Sequence, residues 1–168
     1  KARGTTVGDF ATVQSGYAFK SEWFTTEGVR LVRNVNVGHG RIVWNEAAHI
    51  AESRRWEFER FELREGDVLL SLDRPIISTG VKAARVCRED LPSLLLQRVG
   101  RFMIHDETLN PEYLFLWLQS GSFVQSISPG RSNGVPHISP RDVEAIPFAV
   151  PSSSTQEAIV AQVRQLTS

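Results

Sequence analysis

The stretch DVLLSLDRPIISTGVKAARV, Asp67–Val86, decides the class of fold. Its flanks, DVLLSL and VKAARV, are apolar runs bounded by Asp, Pro and Gly, too short for independent helices and of the length that buried strands take. The connection DRPIISTG carries turn chemistry, with Pro75 fixing φ and Gly80 free to adopt the left-handed region. Working outward, LLLQRVGRFMI (Leu94–Ile104) reads as a further strand, and VRLVRNVNV (Val29–Val37) with RIVW (Arg41–Trp44) reads as a hairpin or strand pair broken by GHG.

Helical signals flank this β-rich middle. Val7, Phe10, Ala11 and Val13 in VGDFATVQS lie close to helical spacing, and Gly16 can stop the run, so a first short helix is expected. PEYLFLWLQSGSFVQSI places Pro111 at the first helical position behind Asn110 as cap, with a break expected at Gly121. Ser139-Pro140-Arg141-Asp142 repeats that start signal and leads into AIPFAV (Ala145–Val150), read as a strand. Ser154 to Glu157 form a capping box ahead of Ile159, Val160, Val163 and Leu166, an amphipathic stripe still running where the chain stops. The expected class is α+β: a mixed or antiparallel sheet, short flanking helices and a truncated C-terminal helix.

Composition narrows the function. A chain of 168 residues with 41% apolar content supports one well-buried core. The single cysteine, Cys87, excludes an internal disulfide framework and a zinc site of paired thiolates. With no apolar run near a membrane span and no signal-peptide core, the expectation is a cytoplasmic protein that does not engage the membrane. Lys1 stands where a methionine would open a natural chain, which reads as a piece cut from something longer. Net charge is zero, unlike most nucleic-acid binders. The charge is nonetheless uneven: residues 1–41 and 68–105 each carry six Lys/Arg against three Asp/Glu, whereas 42–67 and 106–168 are acidic.

No catalytic constellation emerges. LNPEY (Leu109–Tyr113) has a glutamate where an amino-methyltransferase motif needs its second proline, and no glycine-rich loop for a methyl donor accompanies it. There is no GxxxxGK phosphate loop, no GxSxG elbow and no Glu-x-Lys pair. His39, His49, His105 and His137 lack metal-ligand spacing. Neither a cofactor nor a metal is expected, and the chain reads as non-catalytic.

Four polar loops remain. GYAFKSEWF offers Lys20; RNVNVGHGR offers Arg33, Asn34, Asn36, His39 and Arg41; LDRPIISTGVK offers Arg74, Ser78, Thr79 and Lys82; SPGRSNGVPHISPRD offers Arg131, Ser132, Asn133 and His137. These residue types bond base edges and phosphates. Each loop alone is also ordinary turn chemistry, and the last, Ser128–Asp142, reads either as a mobile connector or as a surface built to touch a partner.

The order and spacing of VGDFATVQSGYAF, GVRLVRNVNVGHGRI, FELREGDVLLSLDRPIISTGVKAARV, LLLQRVGRFMI, NPEYLFLWLQS, SNGVPHISPRDVEAIPFAVP and TQEAIVAQV resemble a known family. From about Val7 to Val163 the chain resembles one target recognition domain of the specificity (S) subunit of type I restriction–modification systems. The resemblance implies a non-enzymatic DNA reader in which each of two recognition domains takes half of a split site, held apart by long helices that also dock methyltransferase subunits. It implies a recognition domain over residues 1–151 and the start of a spacer helix over 152–168, with Ile159, Val163 and Leu166 as docking positions. The implied partners are double-stranded DNA, the methyltransferase (M) and restriction/translocase (R) subunits, and a second recognition domain or a second copy of the chain. The rival reading is a protein-docking module that uses the C-terminal helix and reads no DNA.

Overall fold

A computed structural model describes residues 4–127 and 137–167. In chain order the strands are β1 (Ala11–Ser15), β2 (Phe24–Thr25), β3 (Val29–Val32), β4 (His39–Gly40), β5 (Ala48–Ile50), β6 (Val68–Ser71), β7 (Ile76–Ile77), β8 (Gly80–Val81), β9 (Ala83–Arg85), β10 (Ser93–Leu95) and β11 (Val99–Ile104). The helices are α1 (Pro111–Leu118), α2 (Gly121–Ile127), α3 (Pro140–Glu144) and α4 (Ser153–Thr167). The class is α+β, as the sequence indicates.

A five-stranded sheet of order β1–β11–β6–β9–β4 forms the centre. Its pairs are antiparallel except β4 with β9, which run parallel. Val68 and Leu70 of β6 face a core completed by Leu114, Leu118, Phe123 and Val143, while Leu69 faces a second core with Val32, Leu95 and Val99. Burial of both faces explains why DVLLSL is a continuous apolar run instead of an alternating one. A second sheet, β10–β3–β5–β2, packs Val29, Leu31, Ile50 and Leu94 against Phe19 and Phe58. The turn-rich DRPIISTG folds into the small β7–β8 ribbon.

Several expectations are corrected. The expected helix over Val7–Ser15 is a single 3-10 turn, Val7–Asp9, followed by β1. Ala11 and Val13 are buried and Thr12 exposed, and the edge of β11 supplies a full antiparallel register from Ala11–Ile104 to Ser15–Gly100. Tertiary pairing thus overrides a spacing that suits both periods. The expected hairpin of Val29–Val37 with Arg41–Trp44 is reduced to one antiparallel bridge, Val37 with Ile42, closed by the Gly38 N–H donating to the Arg41 carbonyl at 2.9 Å and the Val43 N–H to the Asn36 carbonyl at 2.7 Å. Strand β3 pairs with β5 and β10, and Asn34–Asn36 turns into a 3-10 helix because the Asn36 side chain accepts from the Arg33 backbone N–H at 2.9 Å. Leu94–Ile104 is not one strand, since a turn at Leu96–Val99 moves the chain from the second sheet into the first. Ala145–Val150 makes only an isolated bridge, Thr6 with Pro147.

Helix starts follow the caps more closely. Asn110 accepts from the Glu112 N–H at 2.9 Å, and Ser139 with Asp142 forms a reciprocal capping box. For α4 the cap is Ser152, not Ser154: the Ser152 hydroxyl accepts from the Thr155 N–H at 3.3 Å. The first turn of α4 is fixed by Gln156, which is 0% exposed, accepts from the Asn110 N–H and donates to the Thr108 and Pro151 carbonyls. Val160 is buried, Ile159 and Val163 are half-buried, and Leu166 is 80% exposed. Among the described residues no helix is long and apolar enough to cross a membrane.

Candidate functional site

The strand registers bring two of the polar loops, that of Arg33–His39 and that of Leu72–Lys82, to one end of the five-stranded sheet, where His137 joins them. Ser15 stands opposite Gly100, Val99 opposite Ser71, Leu70 opposite Ala83, and Ala83 opposite His39. The segments that leave this end are Gly16–Tyr17, Leu72–Arg74, Val81–Lys82, Gly38–His39 and Gln97–Arg98. Backbone bonds join them into a continuous rim. Gln97 N–H donates to Tyr17 (2.8 Å), Leu72 N–H to Arg98 (2.8 Å) and Ile138 N–H to Leu72 (2.9 Å). Asp73 and His137 form a β-bridge.

Side chains extend the network. Lys82 Nζ donates to the Asn34 carbonyl at 3.0 Å, and the buried Ser71 hydroxyl meets the Asn34 amide and donates to the Asp73 carbonyl at 2.7 Å. The His39 Nδ1–H donates to the Val81 carbonyl at 2.8 Å, since a carbonyl can only accept, and Nε2 is hydrogen-bonded to the Thr79 hydroxyl at 2.7 Å. Burial holds the Lys82 ammonium below the usual lysine range, with Asp73 opposing that effect only in part. Residues 33–39, 71–82, 97–98 and 137–139 together carry four cations, Arg33, Arg74, Lys82 and Arg98, against one carboxylate, Asp73. At the other end of the sheet, residues 64–67, 85–90 and 105–112 carry seven carboxylates against Arg64, Arg85 and Arg88. The neutral chain is therefore polarised, with a positive rim and a negative far end.

The candidate residues separate accordingly. Asn34, Arg74, Ser78, Thr79, Lys82 and His137 belong to the rim network or its exposed ribbon. Arg33 lies beside it; its Nη2 donates to the Glu46 carbonyl at 3.1 Å and its buried Nε has no acceptor among the described residues. Asn36 is a brace and not a surface group: it is 1% exposed, and its amide donates to the Val43 and Glu46 carbonyls. Lys20 is exposed beside the Trp23 ring (5.6 Å), on a loop built around Tyr17, Phe19 and Phe58, and no described contact ties it to the other candidates. Arg131, Ser132 and Asn133 lie outside the described residues. Sequence reasoning missed Arg98 and the Leu96–Val99 turn, in the middle of the Leu94–Ile104 run, as part of the rim. The signal present in the sequence is Gln97-Arg98, two polar residues interrupting an apolar run.

No protein-family profile matches the chain. A search of curated proteins finds the specificity subunit of the type I restriction enzyme EcoAI from Escherichia coli, 46% identical over 160 residues, or 95% of this chain. The chain is homologous to a segment of a type I specificity subunit. A second member of that family, the MjaVIII specificity subunit of Methanocaldococcus jannaschii, is 35% identical over 116 residues, or 69% of this chain. The chain spans 27% of the length of each of these relatives. Among solved structures, one described as the structural basis of complex assembly and conformational transition of the type I R-M system matches with a TM-score of 0.70 at 16% identity. It covers 98% of this chain and 38% of that one. The HsdS subunit from Thermoanaerobacter tengcongensis matches with a TM-score of 0.68 at 17% identity, covering 98% and 37%. These likenesses establish that the fold is that of the specificity-subunit family.

Proposed function

We propose that this segment is a target recognition domain that reads one half of a bipartite duplex site through the positive rim, and that it contributes specificity, not catalysis. The observation that carries the reading is the convergence of Asn34, Arg74, Thr79, Lys82 and Arg98 on one end of a polarised sheet. A cationic rim on a neutral protein attracts phosphate locally without making the whole surface adhesive to DNA. Residues 1–151 form the recognition unit, and α4 is the start of a spacer helix that leads to a second recognition domain or a second copy. Methyltransferase and restriction/translocase partners supply the chemistry. Docking through α4 without DNA reading is the second reading, favoured by the exposure of Leu166.

The test is methylation mapping with the full-length specificity subunit assembled with its methyltransferase partner. A bipartite methylated motif is expected, and exchange of residues 71–82 and 97–98 for those of a relative should change one half of it. An active chimera that keeps the original motif would return the rim to a scaffolding role.

Lys82 gives a second check. Lys82→Met should weaken duplex binding alike for all sequences and lower the slope of log K against log salt by about 1, as loss of one phosphate contact does. The same variant should keep its stability at neutral pH, because the folded state holds the charged form at a disadvantage. The sign follows from proton binding. With its folded value depressed, Lys82 makes wild-type stability rise with pH across the alkaline window below the ordinary lysine value, and that rise should shrink in Lys82→Met. An unchanged salt slope would remove Lys82 from the contact set.

A further inference from the structure

We propose that Arg98 is a specificity-determining residue that reads a base edge, with Arg74 beside it. The inference rests on the DNA-reading function proposed above and deepens it. Among the described residues, Arg74 (φ +54°) and Arg98 (φ +70°) are the non-glycine residues in the left-handed region. An L-residue there brings its Cβ too close to the following carbonyl, and glycine is the favoured occupant. Arg98 sits third in the turn Leu96–Val99, closed by the Val99 N–H donating to the Leu96 carbonyl at 3.3 Å, and positive φ at that position ordinarily selects Gly or Asn. Arg74 directly precedes Pro75, which itself steers the residue before it towards extended backbone.

Both arginines stand on the same rim and are coupled through Leu72, whose N–H donates to the Arg98 carbonyl. The surrounding backbone is held on each side. Lys82 N–H donates to the Pro75 carbonyl at 2.7 Å, and Gln97 N–H to Tyr17. Both guanidinium groups are exposed and have no acceptor among the described residues, whereas Arg54, Arg55, Arg85 and Arg101 are engaged by carboxylates. The fold would be better served by glycine at either position. Retention of a strained arginine implies that the side chain is needed and that its direction is needed. A phosphate contact makes little demand on direction and is met by Lys82. A planar fork aimed at the N7 and O6 atoms of a guanine does make that demand.

The experiment uses the full-length specificity subunit assembled with its methyltransferase partner and a randomised duplex pool, with selected sequences read out for wild type, Arg98→Gly and Arg98→Lys. Arg98→Gly should raise Tm by about 2–4 °C through relief of strain, while preference at one base pair falls by about 5- to 150-fold. Arg98→Lys should keep overall affinity and lose the same preference. Arg74→Gly should behave like Arg98→Gly at a neighbouring position. A lower Tm for Arg98→Gly with the motif intact would make Arg98 a structural residue, and a uniform loss of affinity with the motif intact would make it a phosphate contact; each overturns the inference alone. A wild-type complex that selects no motif overturns the DNA-reading function itself, and this inference with it.

Discussion

Replacing Arg101 by alanine is expected to destabilise the protein by about 3–5 kcal/mol, the effect of breaking a buried ion pair by removing one partner. Arg101 lies on β11 at 5% exposure and holds three segments together. Its Nη1 donates to the Glu62 carbonyl at 2.7 Å and to Asp67 at 3.1 Å; its Nη2 donates to Gln14 at 2.6 Å and to the Arg60 carbonyl at 2.9 Å; Nε also reaches Gln14. Truncation leaves the Asp67 carboxylate without its cation and strands the Glu62 carbonyl and the Gln14 amide oxygen, while the Arg60 carbonyl keeps only the Gln14 side-chain amide at 3.0 Å. Arg101→Lys should recover only part of the loss, because one ammonium cannot serve acceptors arranged around a planar fork. Arg101→Met should be milder than Arg101→Ala, since it refills the volume. Denaturant midpoints rank the variants, and an alanine variant within about 1 kcal/mol of wild type would mean that water replaces these bonds and that the network is dispensable.

Arg101 also shows where sequence reading stops. In LLLQRVGRFMI the two arginines look alike, yet Arg101 is an internal clamp and Arg98 an exposed rim residue. The difference is set by the Leu96–Val99 turn, which contains none of the Gly, Pro or Asn residues that usually announce one. The caps were legible at Asn110 and Ser139 because side-chain capping is local chemistry. The Ala11–Ser15 strand was not legible, because Val7, Phe10, Ala11 and Val13 suit either period and the deciding partner lies in β11, far along the chain. Glu52–Phe61, which winds as 3-10 turns with a kink at Phe58, is too polar to show any periodicity. The candidate loops were legible as polar, glycine-bearing interruptions between apolar runs. Their convergence was not, because it follows from strand order. Charge summed along the chain gives mild alternation, whereas charge summed by sheet end gives a positive rim and a negative opposite end.

Gly16→Ala should have the other large effect, and on the rim itself. Gly16 is where β1 crosses from the first sheet to the second: its N–H donates to the Val99 carbonyl at 3.1 Å, and the next N–H, of Tyr17, donates to Leu95 at 3.0 Å. A methyl group at Gly16 would lie 2.2 Å from the Leu96 carbonyl oxygen and 2.6 Å from the Leu95 carbonyl carbon. Those are backbone atoms of the very turn that carries Arg98, so no side-chain rotation can relieve the overlap. Either β1 or the Leu96–Val99 turn must move. A loss of about 1–3 kcal/mol, the range for overpacking, is the minimum expected, together with loss of sequence preference in the assembled complex as Arg98 shifts. Gly121→Ala supplies the contrast. A Cβ at the start of α2 meets nothing within 4 Å, so this substitution should be neutral or stabilise by up to about 1 kcal/mol. Denaturant midpoints and selection from a randomised duplex pool, measured on both variants, check the pair. If Gly16→Ala matched Gly121→Ala in stability and selected the wild-type motif, the close crossing at Gly16 would not be what sets the rim.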